Sequence, residues 1–264
     1  MANELLSYIL ALVVGLSLGL TGGGGSILTV PILVYISGIE PVLATGYSLF
    51  IVGVTSFVGM LGYFKEKLVD IKLAILFSVP SMLTVWLVRR FVVHNLPDEL
   101  LQIGTFTLTK DTALMSLFAL VMILSAVKMI WFSDKADSEK IEQPNYKVAI
   151  GSGVVVGILS GLIGAGGGFL IVPAITLYLG LPVHLAIGTS LLIISLNSLV
   201  GFTGDFQHLT DIQWPYLLEF SLIAVIGVLA GVYIGKLTNA KKLKTIFGWF
   251  VLSLAIVIII NIIK

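Results

Sequence analysis

The chain has 264 residues, of which 58% are hydrophobic and 11% charged, with mean hydropathy +1.10 and formal net charge +1. A water-soluble core needs no such apolar excess, and the near-zero charge leaves no electrostatic footprint for a nucleic-acid partner. Cysteine is absent from the sequence, which excludes disulfides, thiolate metal sites and thiol–disulfide relays.

Apolar runs follow one another from end to end, so the chain reads as polytopic rather than anchored. In order they cover 4–21, 26–38, 42–64, 71–93 and 112–132, then 147–163, 168–180, 184–204, 214–236 and 244–263. The first lacks a basic leader and flows into a glycine-rich stretch, so it is read as a retained helix and not a signal peptide. The second run of each half is short. Its 13 residues span about 20 Å as a helix against a hydrocarbon core of about 30 Å, which predicts half-helices or re-entrant arms. Pro31 and Pro173 fall inside these arms, where the missing N–H and the ring clash kink or end a helix. The other segments are long enough to cross. The expected fold class is therefore an all-α polytopic membrane protein with about eight full transmembrane helices and two short arms.

The short arms follow two copies of one signature. Gly19-Leu20-Thr21-Gly22-Gly23-Gly24-Gly25-Ser26 leads to Pro31, and Gly161-Leu162-Ile163-Gly164-Ala165-Gly166-Gly167-Gly168 leads to Pro173. At an offset of 142, the distance from Gly15 to Gly157, the halves align without a gap to about Phe64 and Phe206. Gly38, Gly46, Ser48, Gly59 and Gly62 then fall on Gly180, Gly188, Ser190, Gly201 and Gly204. Glycines and prolines held in one frame mark an internal duplication. The expected organisation is one transmembrane repeat over 1–132, a polar linker over 133–146 and a second repeat over 147–264.

Lysine placement gives the orientation. Lys65, Lys67 and Lys72 flank the loop after the third segment, whereas the matching loop of the second half carries Asp205 and Asp211. Lys236, Lys241, Lys242 and Lys244 make the next loop basic, while its first-half counterpart has acids and one lysine, with Arg89 and Arg90 at its edge arguing the other way. By the positive-inside rule, loops 65–72, 133–147 and 236–244 are cytoplasmic, both termini lie outside, and the repeats are inverted. Inversion requires an odd number of effective crossings per half, which holds if each short arm returns with its neighbour. Parallel repeats with four crossings each are the alternative.

A backbone break in lipid has to be buried in protein or line a cavity, and free N–H groups at a helix N-terminus favour an anion. Thr21, Gly22, Gly23, Gly24, Gly25 and Ser26 with Thr45 and Ser48 in the first half are candidate binding residues. In the second half the candidates are Gly164, Ala165, Gly166, Gly167 and Gly168, with Thr189, Ser190, Asn197 and Ser198. The alternative for the glycines is close helix packing, which the small-xxx-small spacing of Gly153, Gly157 and Gly161 and of Gly227, Gly231 and Gly235 exemplifies. Among ionisable residues, Glu219 lies about a turn inside its span and is the candidate coupling carboxylate. Lys128, Arg89 and Arg90 lie near helix ends, where snorkelling to the headgroups is expected. His184 reads as a cap or interfacial residue, and Asp205 and His208 as outer-loop residues at an entrance. No second ligand is spaced to make a metal site with His184, and no cofactor is expected. ATP-binding, zinc-protease and nucleophile-elbow signatures are missing, so no enzyme activity is expected.

The paired glycine–proline signature, followed by Ala44-Thr45-Gly46-Tyr47-Ser48-Leu49 and Ala186-Ile187-Gly188-Thr189-Ser190-Leu191, closely resembles the TauE/SafE family of sulfite exporters, the toluene-sulfonate-uptake permease group. The resemblance covers nearly the whole chain and implies a multi-pass inner-membrane carrier for a small sulfur oxyanion or organosulfonate, such as sulfite or thiosulfate. Tyr47 departs from the pattern where the second half has Thr189, which makes the site asymmetric. Carrier-type export by alternating access is the leading expectation. A passive anion channel and a non-transporting assembly or scaffold protein are the alternatives.

Overall fold

The computed structural model describes residues 2–93, 95–97, 99–103, 106–131, 146–164, 166–179, 181–205, 212–237 and 240–263. Ala165, His208 and the linker before Tyr146 lie outside the described residues. Helix α1 (Ala2–Thr21) ends at the first glycine break, and α2 (Ser26–Pro31) follows, extended by a π-helical turn over Ile32–Ile36. Next come α3 (Pro41–Phe64) and α4 (Ile71–Leu87), the latter prolonged by a π-helical turn over Val88–Val93. After the strands β1 (Glu99–Ile103) and β2 (Phe106–Thr109) comes α5 (Lys110–Trp131). The second half contributes α6 (Tyr146–Ile163), α7 (Gly168–Tyr178), α8 (Val183–Asp205), α9 (Trp214–Leu237) and α10 (Ala240–Ile263).

Local chemistry sets these boundaries. Pro41 opens α3 at the first helical turn, where its missing N–H is no loss. The Asp70 carboxylate caps α4 by accepting from the Leu73 N–H at 2.9 Å.

Among the described residues, five helices are long and apolar enough to cross a bilayer: α3, α4 with its π turn, α5 over Lys110–Val127, α8 and α9 over Trp214–Gly235. The expectation of about eight is not met at that standard, because the apolar stretches of α1, α6 and α10, Leu5–Thr21, Lys147–Ile163 and Val251–Ile260, are shorter. The all-α expectation fits, with one short addition. The loop between α4 and α5 forms an antiparallel hairpin that pairs Ile103 with Phe106 and Glu99 with Thr109.

Helix directions follow from where glycines touch their neighbours. Gly227 packs on Leu12 and Gly231 on Leu16, while Gly59 meets Val228 and Gly62 meets Val232, so α1, α3 and α9 run the same way. Gly153 packs on Phe77, Gly157 on Ser81 and Gly161 on Val85 and Val88, so α6 runs with α4. Gly53 lies against Leu199 and Gly59 against Leu191, while Gly201 meets Leu49, so α3 and α8 are antiparallel. The packing survives exchange of the halves: α1–α9 answers α6–α4, α3–α9 answers α8–α4, and α3–α8 and α5–α10 join counterparts.

The arm formed by α2 and its π turn doubles back beside α1. Ser37 at its end lies 2.6 Å from the Tyr216 hydroxyl, and the Tyr216 ring packs 6.1 Å from that of Tyr8 in the early turns of α1. The two segments thus form a hairpin that returns to the end of the bundle where α1 begins.

Candidate functional site

The two glycine breaks meet in the middle of the bundle. Gly23 and Gly168 lie back to back, so that a side chain on either would strike the backbone of the other. Gly22 and Gly164, counterparts in the repeat, adopt φ of 71° and 72°, the left-handed region that costs an L side chain about 1–2 kcal/mol. Their surroundings also correspond. Gly22 faces the Ile187 Cα and Gly164 the Thr45 Cα, and Ile187 and Thr45 are themselves counterparts. Deeper in, Gly166 faces Ser198 Oγ, with Val52 and Ile194 beside it, at the midpoints of α3 and α8.

Along the helices that pack around the breaks the bundle buries polar atoms that have no partner, of which Ser198 faces Gly166 and Ser160 faces Gly167. They are Ser48, Thr55 and Ser56 hydroxyls on α3, Ser78 on α4, Ser160 on α6, and Ser195, Ser198 and the Asn197 Oδ1 on α8. Thr55-Ser56 and Asn197-Ser198 coincide at the offset of 142, so the duplication placed the same polar pair on two facing helices. Leaving one such group unsatisfied costs about 1–3 kcal/mol. A concentration of them next to backbone turns is the chemistry of a ligand contact surface. In α7, capped by the left-handed Gly167, the Leu170 and Ile171 N–H groups donate to the Gly167 carbonyl at 2.9 and 3.0 Å, which leaves the Gly168 and Phe169 N–H groups at the positive end of the dipole. The donor set is neutral, which suits an anion that must also leave.

The expected binding residues divide by what holds them. Thr21 Oγ1 donates to the Ser17 carbonyl at 2.8 Å and accepts from the Gly24 N–H at 2.9 Å. Ser26 Oγ donates to the Gly23 carbonyl at 2.7 Å, so both hydroxyls fasten the first break. Ser190 Oγ reaches across to the Gly22 carbonyl at 2.6 Å. Thr189 Oγ1 is occupied by the Asp70 N–H at 2.9 Å. Ser48 and Asn197 retain an open polar atom, although Asn197 Nδ2 already donates to Ser81 Oγ at 2.7 Å.

Two expectations about charged residues are overturned. Arg89 does not snorkel: it is 0% exposed, in the π-helical turn that prolongs α4. Asp205 is not in the outer loop but is the last residue of α8, 1% exposed, and forms a buried ion pair with Arg89. The guanidinium also donates to Thr45 Oγ1 at 3.0 and 3.1 Å and reaches the Gly161 carbonyl at 3.5 Å, while its Nε has no partner. A π turn shifts side-chain phase locally, and here it aims the guanidinium at the second break. Glu219, the expected coupling carboxylate, lacks the burial that role presupposes. It is exposed and accepts a hydrogen bond from the Tyr8 hydroxyl. His184 is exposed as well. Among the described residues no group of three His, Cys, Asp or Glu could hold a metal ion.

The sequence reading missed Thr55 and Ser56, whose signal was present: a polar pair in register with Asn197-Ser198 inside a long apolar span. The ion pair had no such signal, because its partners lie 116 positions apart.

A family model described as "Sulfite exporter TauE/SafE" matches residues 7–258. A "Probable membrane transporter protein" of Xylella fastidiosa is 29% identical over 252 residues, covering 93% of this chain and 91% of that protein. The "Probable membrane transporter protein YunE" of Bacillus subtilis is 31% identical over 261 residues, covering 91% and 92%. A "Probable membrane transporter protein" of Methanocaldococcus jannaschii is 28% identical over 254 residues, covering 90% and 89%.

Proposed function

The chain belongs to the sulfite exporter TauE/SafE family, a multi-pass membrane transporter and not an enzyme, and on that premise we propose that it exports a small sulfur-containing anion by alternating access. The observation that carries this reading is the layer of unpartnered polar atoms where the two glycine breaks meet. The antiparallel run of α3 and α8 supports inverted repeats. Repeat counterparts that cross in opposite directions are related by an axis in the membrane plane, whereas an axis along the normal would keep them parallel. The α1–α2 hairpin supports the odd crossing count that inversion needs, since a segment and its return contribute none.

In this reading sulfite, thiosulfate or an organosulfonate sits at the midplane. Ser56, Ser198, Thr55 and Asn197 bind its oxygens together with the N-terminal N–H groups of α7. A membrane potential negative inside favours export, at about 2.3 kcal/mol per charge per 100 mV. In this reading both termini lie outside and the 133–146 linker in the cytoplasm, which the lysine bias supports.

The test is flux in proteoliposomes over a panel of sulfite, thiosulfate, sulfate and organosulfonates, with the potential clamped at several values. Saturable, selective flux that an opposing anion on the far side accelerates is the expected result. Flux that rises linearly with concentration would replace the carrier by a channel, and no flux of any anion would favour an assembly role.

A further inference from the structure

We propose that Arg89 is a docking cation for the transported anion, and that Asp205 holds its place until the anion displaces it. The proposal deepens the reading of the chain as an anion carrier and rests on it for the identity of the ligand.

The repeat supplies an internal control for the simpler view that the pair only ties helix ends together. Position 63 is the counterpart of Asp205, and there the first half has Tyr63. Tyr63 is buried and its hydroxyl donates to the Gly19 carbonyl at 2.9 Å. Gly19 is the counterpart of Gly161, the residue whose carbonyl Arg89 reaches. One helix leading into a glycine break is therefore capped by a neutral phenol, and the other by a cation with its own carboxylate. Capping alone needs only the phenol.

A buried ion pair is a costly substitute. Removing two charges from water costs several kcal/mol each, and an apolar pair of similar volume often serves stability as well or better. Ionisable residues at membrane depth accordingly mark pathways. The neighbouring contacts at Gly19 and Gly161 correspond too, since α9 presents the Val228 carbonyl where α4 presents that of Val85. That register sets the apolar Val232 in the place of Arg89. Among the described residues, the buried charges of Arg89 and Asp205 lie at one end of the bundle.

Two features give the guanidinium a second role. Its Nε is buried without an acceptor, so a donor is in place that Asp205 and Thr45 do not use. Thr45 links the cation to the second break, since Gly164 lies directly against it. Along α3, Ser48 at the near edge of the polar layer is about 4.5 Å from Thr45, and Ser56 at its far edge about 16 Å. An oxyanion with two or more oxygens matches the planar guanidinium fork as a carboxylate does and exchanges with Asp205 without leaving the cation bare. In the proposed topology α3 begins on the outer side, so Arg89 holds the anion near its exit, and the neutral hydroxyl layer serves its passage.

The experiment measures equilibrium binding of sulfite and of thiosulfate to purified protein in detergent, alongside flux in proteoliposomes. If Asp205 competes with the anion, Asp205→Asn tightens the dissociation constant about tenfold by raising the fraction of binding-competent cation. Arg89→Gln abolishes the binding that Asp205→Asn tightens. The double variant Arg89→Leu, Asp205→Leu keeps a monodisperse, folded protein and loses binding, which separates function from folding. Unchanged or weaker binding in Asp205→Asn overturns the proposal, as does wild-type binding in the double leucine variant. Absence of sulfite and thiosulfate binding in both wild type and Asp205→Asn overturns it too. Tightened binding in Asp205→Asn without flux in any variant would leave Arg89 as an anion site and refute transport instead.

Discussion

The two glycine breaks descend from one sequence and do the same backbone work, yet they are held by different chemistry. The first is closed by neutral hydroxyls: Thr21 and Ser26 bond within it, Ser190 reaches the Gly22 carbonyl, and Tyr63 caps Gly19. The second meets a buried cation and its counter-ion. Ser48, the counterpart of Ser190, is left without a partner. The backbone turns agree only at Gly22 and Gly164, both left-handed; Gly166 and Gly167 are left-handed as well, whereas Gly25, the counterpart of Gly167, is helical with φ of -66°. Conformation is shared at the entry to each break, and beyond it both the backbone and the caps diverge.

The sharpest way to break this comparison is to remove each cap. Arg89→Leu alone leaves the Asp205 carboxylate buried without its cation, and the expected loss of stability is about 3–5 kcal/mol. Tyr63→Phe removes a neutral hydrogen bond worth about 1 kcal/mol. Thermal unfolding in detergent reads both. Equal losses would mean that the ion pair behaves as an ordinary cap.

A second comparison separates conformation from packing. Gly38 and Gly164 both have positive φ, at 69° and 72°, but a Cβ on Gly38 meets nothing within 4 Å whereas one on Gly164 runs into Thr45. Gly38→Ala is expected to cost about 1–2 kcal/mol of backbone strain. Gly164→Ala adds a collision with the residue that accepts from Arg89, so it should unfold at lower temperature and lose flux as well. If the two substitutions cost the same, the second break is looser than its contacts imply.

Much of this was legible beforehand, for reasons the residues make plain. Segment ends at Thr21, Phe64 and Ile163 agree with the helices because a glycine run or a charged turn follows each. The duplication was legible because Gly22 and Gly164 share a left-handed turn and Gly15, Gly19, Gly157 and Gly161 each lie too close to a neighbouring helix for a side chain. The hairpin over Glu99–Thr109 was missed although Phe106-Thr107-Leu108-Thr109 alternates apolar and polar residues, a short period-two signal between long helical ones. Arg89 was misjudged because proximity to a helix end is the usual ground for snorkelling, and what buries it lies on α3, α6 and α8. Tertiary pairing of that kind leaves no mark in the local sequence.

The midplane layer yields a prediction in which stability and function part. Ser198 Oγ has no partner, so Ser198→Ala removes no hydrogen bond and is expected to leave the melting temperature unchanged or slightly raised. Its contact with a bound oxyanion would be lost, and the apparent affinity in flux should fall about tenfold, the equivalent of roughly 1.4 kcal/mol. A drop in stability with unaltered affinity would make Ser198 a packing residue that faces Gly166 and nothing else.

The smallest effect is expected at Glu219. A proton-coupling carboxylate is buried and changes partners during the cycle, because burial is what brings its ionisation near neutral pH. Glu219 is exposed on α9 and accepts from the Tyr8 hydroxyl on α1, a contact between two helices that run in the same direction. Glutamine keeps an acceptor oxygen at that position, so Glu219→Gln preserves the Tyr8 contact and changes only the charge. Anion flux measured with and without a pH gradient should therefore show the same pH dependence in Glu219→Gln as in wild type. A flattened profile would restore Glu219 as the coupling group and place proton movement on the α1–α9 face, away from Arg89 and Asp205. An unchanged profile leaves the asymmetry between the two breaks, with Arg89 and Asp205 on one of them, as the place to test for coupling.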